Sequence, residues 1–146
     1  MPLNVRKILL WRREAPDGPG LAASTLEPVA KAGADLKLVM GFRIREGSAA
    51  IEVWPVAGKK AVTAAGTAGL AASTIPAVLV QGDDRPGLGH AFAKAVGDAG
   101  INLSFLVAQV VGRKYSAVFG FGNEADAKAA IPLLRKAGKP PKKKAK

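Results

Sequence analysis

The spacing of apolar residues along this chain changes several times, and each change marks an element. Ala77, Val78, Leu79 and Val80 form a short apolar run, and residues 82–86 (GDDRP) then supply turn formers, which predicts a strand ending at a loop. From Gly87 the spacing lengthens: Leu88, Phe92, Ala95, Val96 and Ala99 fall at i, i+4, i+7, i+8 and i+11, one stripe of a helix. Gly100 is placed to end that helix. Ile101, Leu103, Phe105 and Val107 then alternate through Val111, and after Gly112, Arg113 and Lys114 a second run carries Tyr115, Ala117, Phe119 and Phe121, which predicts a hairpin. Asn123 can cap a last helix beginning at Glu124, with Ala127, Ala130, Ile131 and Leu134 turned inward. The order is β-α-β-β-α.

The first half repeats it. A strand is expected over residues 5–13, a helix from Gly20, a hairpin over residues 36–44 and 50–56 about Glu46 and Gly47, an Ala-rich helix over 59–65 and a further short strand over 70–73. Pro28 removes a helix hydrogen bond at a cost of about 3 kcal/mol, so the first helix is expected to kink or end early. Residues 17–36 laid over 84–103 without a gap match at Asp17/Asp84, Pro19/Pro86, Gly20/Gly87, Leu21/Leu88, Val29/Val96, Ala32/Ala99, Gly33/Gly100 and Leu36/Leu103. A Pro-Gly-Leu and a second glycine thirteen residues past the first, all in register, indicate duplication. The predicted fold class is α+β: two ferredoxin-like β-α-β-β-α-β units in tandem, with antiparallel sheets and helices on one face. The expected division is a degenerate unit over residues 1–73, a second over 74–138 and a disordered Lys/Pro tail over 139–146.

Each unit alone is small for an independent core, and the hairpin strands carry apolar residues on both parities. Their helix-free face therefore needs cover, which predicts contact between the copies and a homodimer. Charge changes the picture less than its total suggests. Of a net +11, six charges are the lysines at 136, 139, 142, 143, 144 and 146, which leaves an ordinary +5 for everything before them. Such a tail reads first as a solvated, solubilising segment and second as a weak arm for nucleic acid or another polyanion. There is no cysteine, so disulfides and thiolate metal sites are excluded. No run approaches the roughly 18 apolar residues of a membrane span, and the apolar stretch after Arg6 and Lys7 is too short for a signal peptide, so a cytoplasmic protein without membrane contact is expected.

The stretch VLVQGDDRPGLGHAFAKAVGDAGINL resembles an ACT domain, and the two-copy layout resembles short stand-alone tandem ACT proteins over residues 5 to 138. The first copy, EAPDGPGLAASTLEPVAKAGADL, keeps the Pro-Gly-Leu but has Gly18 where the second has Arg85, and Ala34-Asp35 for Ile101-Asn102. The resemblance implies side-by-side pairing of units into a continuous sheet, regulatory binding of amino acids or similar small molecules between paired units, and no catalysis and no cofactor.

The residues support such a site on their own terms. Gly87 permits close backbone approach, and Gly87, Leu88 and Gly89 open a helix whose unpaired amides can hold a carboxylate. Asp84, beside Arg85 and Pro86, can take an ammonium, and Asn102, just before Leu103, offers both donor and acceptor. The matching set in the first copy is Asp17, Pro19, Gly20, Leu21, Asp35 and Leu36; a carboxylate at Asp35 repels an anionic ligand unless it meets an ammonium. The same residues also have plain structural readings, as turn punctuation for the Pro-Gly pairs and as caps for the aspartates.

Rival functions find less support. One histidine, His90, and no cysteine remove most nucleophile–base pairs and every ordinary zinc site. The dinucleotide fingerprint fails because Phe92 stands where its third glycine belongs, and no phosphate-binding GxxxxGK[ST] loop occurs. Phe119-Gly120-Phe121 is a fragment of an RNA-recognition signature whose flanking Lys/Arg-Gly and Val-x-aromatic are missing.

Overall fold

The structure, a computed structural model, describes residues 2–140. In chain order it contains β1 (Asn4–Ile8), β2 (Trp11–Pro16), α1 (Leu21–Lys31), β3 (Leu38–Arg45), β4 (Ser48–Trp54), α2 (Lys59–Thr67), β5 (Ala71–Ala72), β6 (Ala77–Asp83), α3 (Leu88–Asp98), β7 (Leu103–Val111), β8 (Lys114–Phe121) and α4 (Glu124–Ala137). Two four-stranded antiparallel sheets result, with strand orders β3-β4-β2-β5 and β1-β6-β8-β7. The predicted α+β class, with two ferredoxin-like units, is the observed one.

The division of the chain differs from a simple head-to-tail tandem. One unit is contiguous, residues 9–74; the other is bipartite, residues up to Ile8 joined to those from Ile75 onward. The single strand expected over residues 5–13 is two strands, and only the second belongs to the contiguous unit. β1 pairs antiparallel with β6, Val5 opposite Val80, whereas β2 pairs with β4 and β5. The break falls at Leu9 and Leu10. Leu10 is fully buried and its carbonyl accepts from the Ser73 amide at 2.8 Å, which holds the chain at the start of the second sheet. β1 thus occupies beside β6 the position that β5 occupies beside β2. The segment expected to open the first unit supplies the last strand of the second.

Local structure follows the residues closely elsewhere. α1, α2 and α3 end alike: Gly33, Gly69 and Gly100 take positive φ, and the residue after each donates back to the carbonyl of Val29, Ala65 or Val96 at 3.1, 2.9 and 3.2 Å. This closure satisfies carbonyls that the helix end otherwise leaves bare. Asn123 caps α4 through its side chain, accepting from the Asp126 amide at 2.8 Å. α1 neither ends at Pro28 nor stops before it; it continues to Lys31. Only the amide that would have reached Ser24 is lost, and fully buried Val29 anchors the final turn.

The two cores differ in substance. In the bipartite unit Phe92, Phe119, Phe121 and Tyr115 pack with Val78, Val80 and Leu134 beneath α3 and α4, with Phe92 edge-on to Phe119 at 6.2 Å. In the contiguous unit the central cluster is Val29, Ile51, Val53, Ala65, Ala68 and Leu70, without a fully buried aromatic. Burial of a large apolar side chain contributes about 1.5–3 kcal/mol, so the bipartite core carries the larger apolar stabilisation.

Candidate functional site

Both Pro-Gly corners adopt the same backbone. Gly20 and Gly87 stand at the N-terminal ends of α1 and α3 with φ of 85° and 83° and ψ of 0° and 1°, a left-handed conformation that glycine alone enters without strain. Neither helix has a side-chain cap. Each closes its first turn through the backbone, Ser24 and Ala91 donating to the carbonyls of Gly20 and Gly87. Among the described residues, no acceptor meets the amides of Ala22 and Ala23 in α1, or of Gly89 and His90 in α3. The orphan donors of a helix end are therefore present at both corners.

What lies in front of those donors differs. In the contiguous unit the first turn of α1 overlooks an open cavity of about 690 Å³. Asp17, Gly18, Gly20 and Leu21 line it from the loop, Gly41 and Arg43 from β3, and Ala49 and Ile51 from β4. Asp17 and Arg43 form an ion pair, Nε to Oδ2 at 2.9 Å, and both are accessible. An anionic group, a cationic group and bare amides thus surround an apolar floor. Asp35 is outside this lining and pairs with Lys37, and Leu36 packs on the core. Pro19 is exposed on the loop.

In the bipartite unit the expected residues are spread over different tasks. Asp84 lines a cavity of about 490 Å³ with Asp83, Gly112, Arg113 and Lys114, and none of these residues lies on α3. Its amide donates to the Arg113 carbonyl, and Lys114 pairs with Asp83 at 3.0 Å. Arg85 turns away from the corner and donates to the carbonyls of Ala137 and Lys139, at 3.1 and 3.2 Å, where it closes the end of α4. Leu88 is buried in the core, and Leu103 packs against it. Pro86, Gly87, His90 and Asn102 are exposed, and Gly89 is half-buried. Beneath Gly89 lies Tyr115, 5% exposed, whose ring stands 5.5 Å from that of Phe92. Burial, followed by the nearby Asp84 carboxylate, pushes its phenol above the usual range.

The groups that sequence reasoning missed are on the strands. Arg43 and Ala49 face each other across β3 and β4. The sequence alone gives no signal for Ala49, since the sixty-seven-residue offset sets it beside Ser116, and only the strand pairing, Ala15 with Ala49 and Gly82 with Tyr115, matches it to an aromatic. A second missed feature is Glu52, fully buried on β4 opposite Arg12 of β2. Arg12 Nη1 approaches it at 3.5 Å while also pairing with Glu14 at 3.0 Å and lying over the Phe42 ring at 5.4 Å. Burial pushes the Glu52 carboxyl upward, and Arg12 only partly opposes that. Among the described residues no three His, Cys, Asp or Glu side chains are grouped to hold a metal ion, and no helix is long and apolar enough to cross a membrane.

No protein-family model matches the chain, and no curated protein matches it. Solved structures do match. A protein from Bacteroides thetaiotaomicron superposes with a TM-score of 0.72 at 14% identity, over 90% of this chain and 89% of the other. The regulatory subunit of aspartate kinase from Thermus thermophilus, in its ligand-free form, gives 0.62 at 18% identity over 94% and 97%. The corresponding subunit from Thermus flavus gives 0.57 at 18% over 95% and 98%. The match runs over nearly the full length of each, so the fold is shared: the chain has the fold of these structures, with two ferredoxin-like units.

Proposed function

We propose that this chain is a non-catalytic regulatory protein that binds an amino acid or a similar small molecule at the interface between ACT-type units. The observation that carries the reading is the α1 corner. An α-amino acid presents a carboxylate and an ammonium on one carbon, and this corner sets an arginine, an aspartate and unpaired helix amides around one open cavity. The regulatory aspartate kinase subunits that share the fold support a regulatory role. In this reading the effector's signal passes to a partner protein.

The chain acts as a cytoplasmic homodimer in this reading. β7 is an edge strand of nine residues without a charge, and Leu106, Val107, Val110 and Val111 on it are exposed. An apolar strand at the edge of a sheet calls for a partner strand. The experiment is a thermal-shift screen of the intact chain across the twenty amino acids, with light scattering on the same samples. A ligand that binds only the folded state raises the melting temperature, by an amount equivalent to roughly 2.7 kcal/mol at a hundred times its dissociation constant. We expect a selective rise with one chemical group of amino acids and a mass of two chains. No rise with any of the twenty sinks the reading.

A further inference from the structure

The two duplicated corners face different residues on the strands opposite and are not equivalent sites. Ala15 and Gly82 are equivalent under the sixty-seven-residue offset, and their partners across the sheet are Ala49 and Tyr115. The next partners outward, on the edge strands, are Arg43 and Val110. Gly89 and Ala22 are equivalent on the first helical turns. A Cβ built on Gly89 would stand 3.6 Å from the Tyr115 hydroxyl, so the phenol ring spans from β8 to the first turn of α3. The same span in the contiguous unit runs from Ala49 to Ala22, and both of those methyl groups line the open cavity. What is a cavity in one unit is a tyrosine in the other.

The charged handle is lost along with the space. Val110, half exposed, stands where Arg43 holds Asp17, and Asp84 has no arginine at the equivalent place. Resting on the reading above, we propose that ligand binding is confined to the contiguous unit, that Ala49 and Tyr115 are the residues that decide this, and that the ligand is an α-amino acid with a neutral apolar side chain. The Asp17–Arg43 pair opens to take the ammonium on Asp17 and the carboxylate on Arg43, exchanging one ion pair for two. Leu21, Ala49 and Ile51 offer the side chain no polar partner, so burying a charged or amide side chain among them leaves it unsatisfied.

Calorimetric titration with L-leucine and L-isoleucine tests this on the full chain, with L-aspartate and L-lysine as contrasts. The expected result is one equivalent of leucine or isoleucine per chain and weaker or no binding of the charged pair. Ala49→Tyr, which transplants the other unit's plug, and Arg43→Gln, which removes the carboxylate's partner from an exposed position, should each weaken binding by roughly tenfold or more. Arg43→Gln leaves every buried contact in place, so it decides the matter if Ala49→Tyr fails to fold. Tyr115→Phe should leave affinity unchanged. Two equivalents per chain, undiminished binding in Arg43→Gln, or preference for a charged amino acid overturns the assignment while leaving regulatory binding intact. Absence of any amino-acid ligand in the thermal-shift screen removes both.

Discussion

The first turns of α1 and α3 begin from the same glycine conformation and leave equivalent amides bare, yet the two units beneath them are built differently. Under α3 the helix and sheet meet through aromatic rings: Phe92 on the helix, Tyr115, Phe119 and Phe121 on β8. Under α1 the positions of Phe92, Tyr115 and Phe119 hold Thr25, Ala49 and Val53, and Arg13 stands where Val80 packs. Thr25 is fully buried and accepts from Arg13 Nη1 at 2.8 Å while donating to the Leu21 carbonyl at 2.7 Å. A duplicated backbone has thus diverged into one half stabilised by apolar burial and one half that combines a smaller core with internal polar contacts and an open cavity. The difference teaches that the corner's geometry is a property of its glycine and helix, whereas its capacity to hold a ligand is decided by side chains on the strands opposite.

The sharpest way to test the division is to remove an aromatic ring from the bipartite core. Phe92→Ala deletes a side chain with no exposure that touches both Tyr115 and Phe119, and a cavity of that kind costs about 3–5 kcal/mol. Chemical denaturation should register that loss as a lower midpoint at unchanged slope. A loss below 1 kcal/mol would mean that the two cores are energetically alike after all.

The contiguous unit should respond instead to loss of a hydrogen bond. Thr25→Val preserves volume but strips Arg13 of its acceptor inside the unit, with an expected cost of about 1–3 kcal/mol. Replacing both, Arg13→Met with Thr25→Val, removes the orphaned donor and should recover most of the stability. The coupling in that double-mutant cycle, read from denaturation midpoints, should be of the order of 1 kcal/mol; additivity would show that the contact contributes nothing.

Much of this was legible from spacing. The helix stripes, the Gly100 closure, the Asn123 cap and both hairpins follow from local residue chemistry, and local chemistry is what a single sequence displays. Two things were not local. Residues 5–13 read as one strand because nothing in VRKILLWRR marks the point at which the chain leaves one sheet for another; only the long-range partners, Val80 for Val5 and Ile51 for Arg13, reveal it. The cavity was hidden for a related reason. The loop motif is stronger in the second copy, with its Asp-Arg-Pro-Gly-Leu, but Arg85 is spent on the end of α4 and Tyr115 closes the space, both through contacts more than twenty-five residues away in sequence.

Glu52 provides the smallest and most specific test of the contrast, because its counterpart in the bipartite sheet, opposite Leu79, is Val118. A carboxyl raised by burial in the folded state, from an ordinary value of 4.5 when unfolded, keeps its proton longer in the folded chain. Its contribution to stability is therefore complete below the unfolded value and declines as pH rises through the folded one. Glu52→Gln has no proton to lose, so its stability profile should match that of the wild type near pH 4 and lie above it at pH 7. Arg12 remains paired with Glu14 in the variant and opposes part of the burial effect in the wild type, so the gap should stay within about 1 kcal/mol. The diagnostic quantity is the difference between the two denaturation curves across pH, in which the other carboxylates cancel. A difference that grows toward acid instead would mean that Arg12 outweighs burial and that Glu52 is held as a stabilising ion pair.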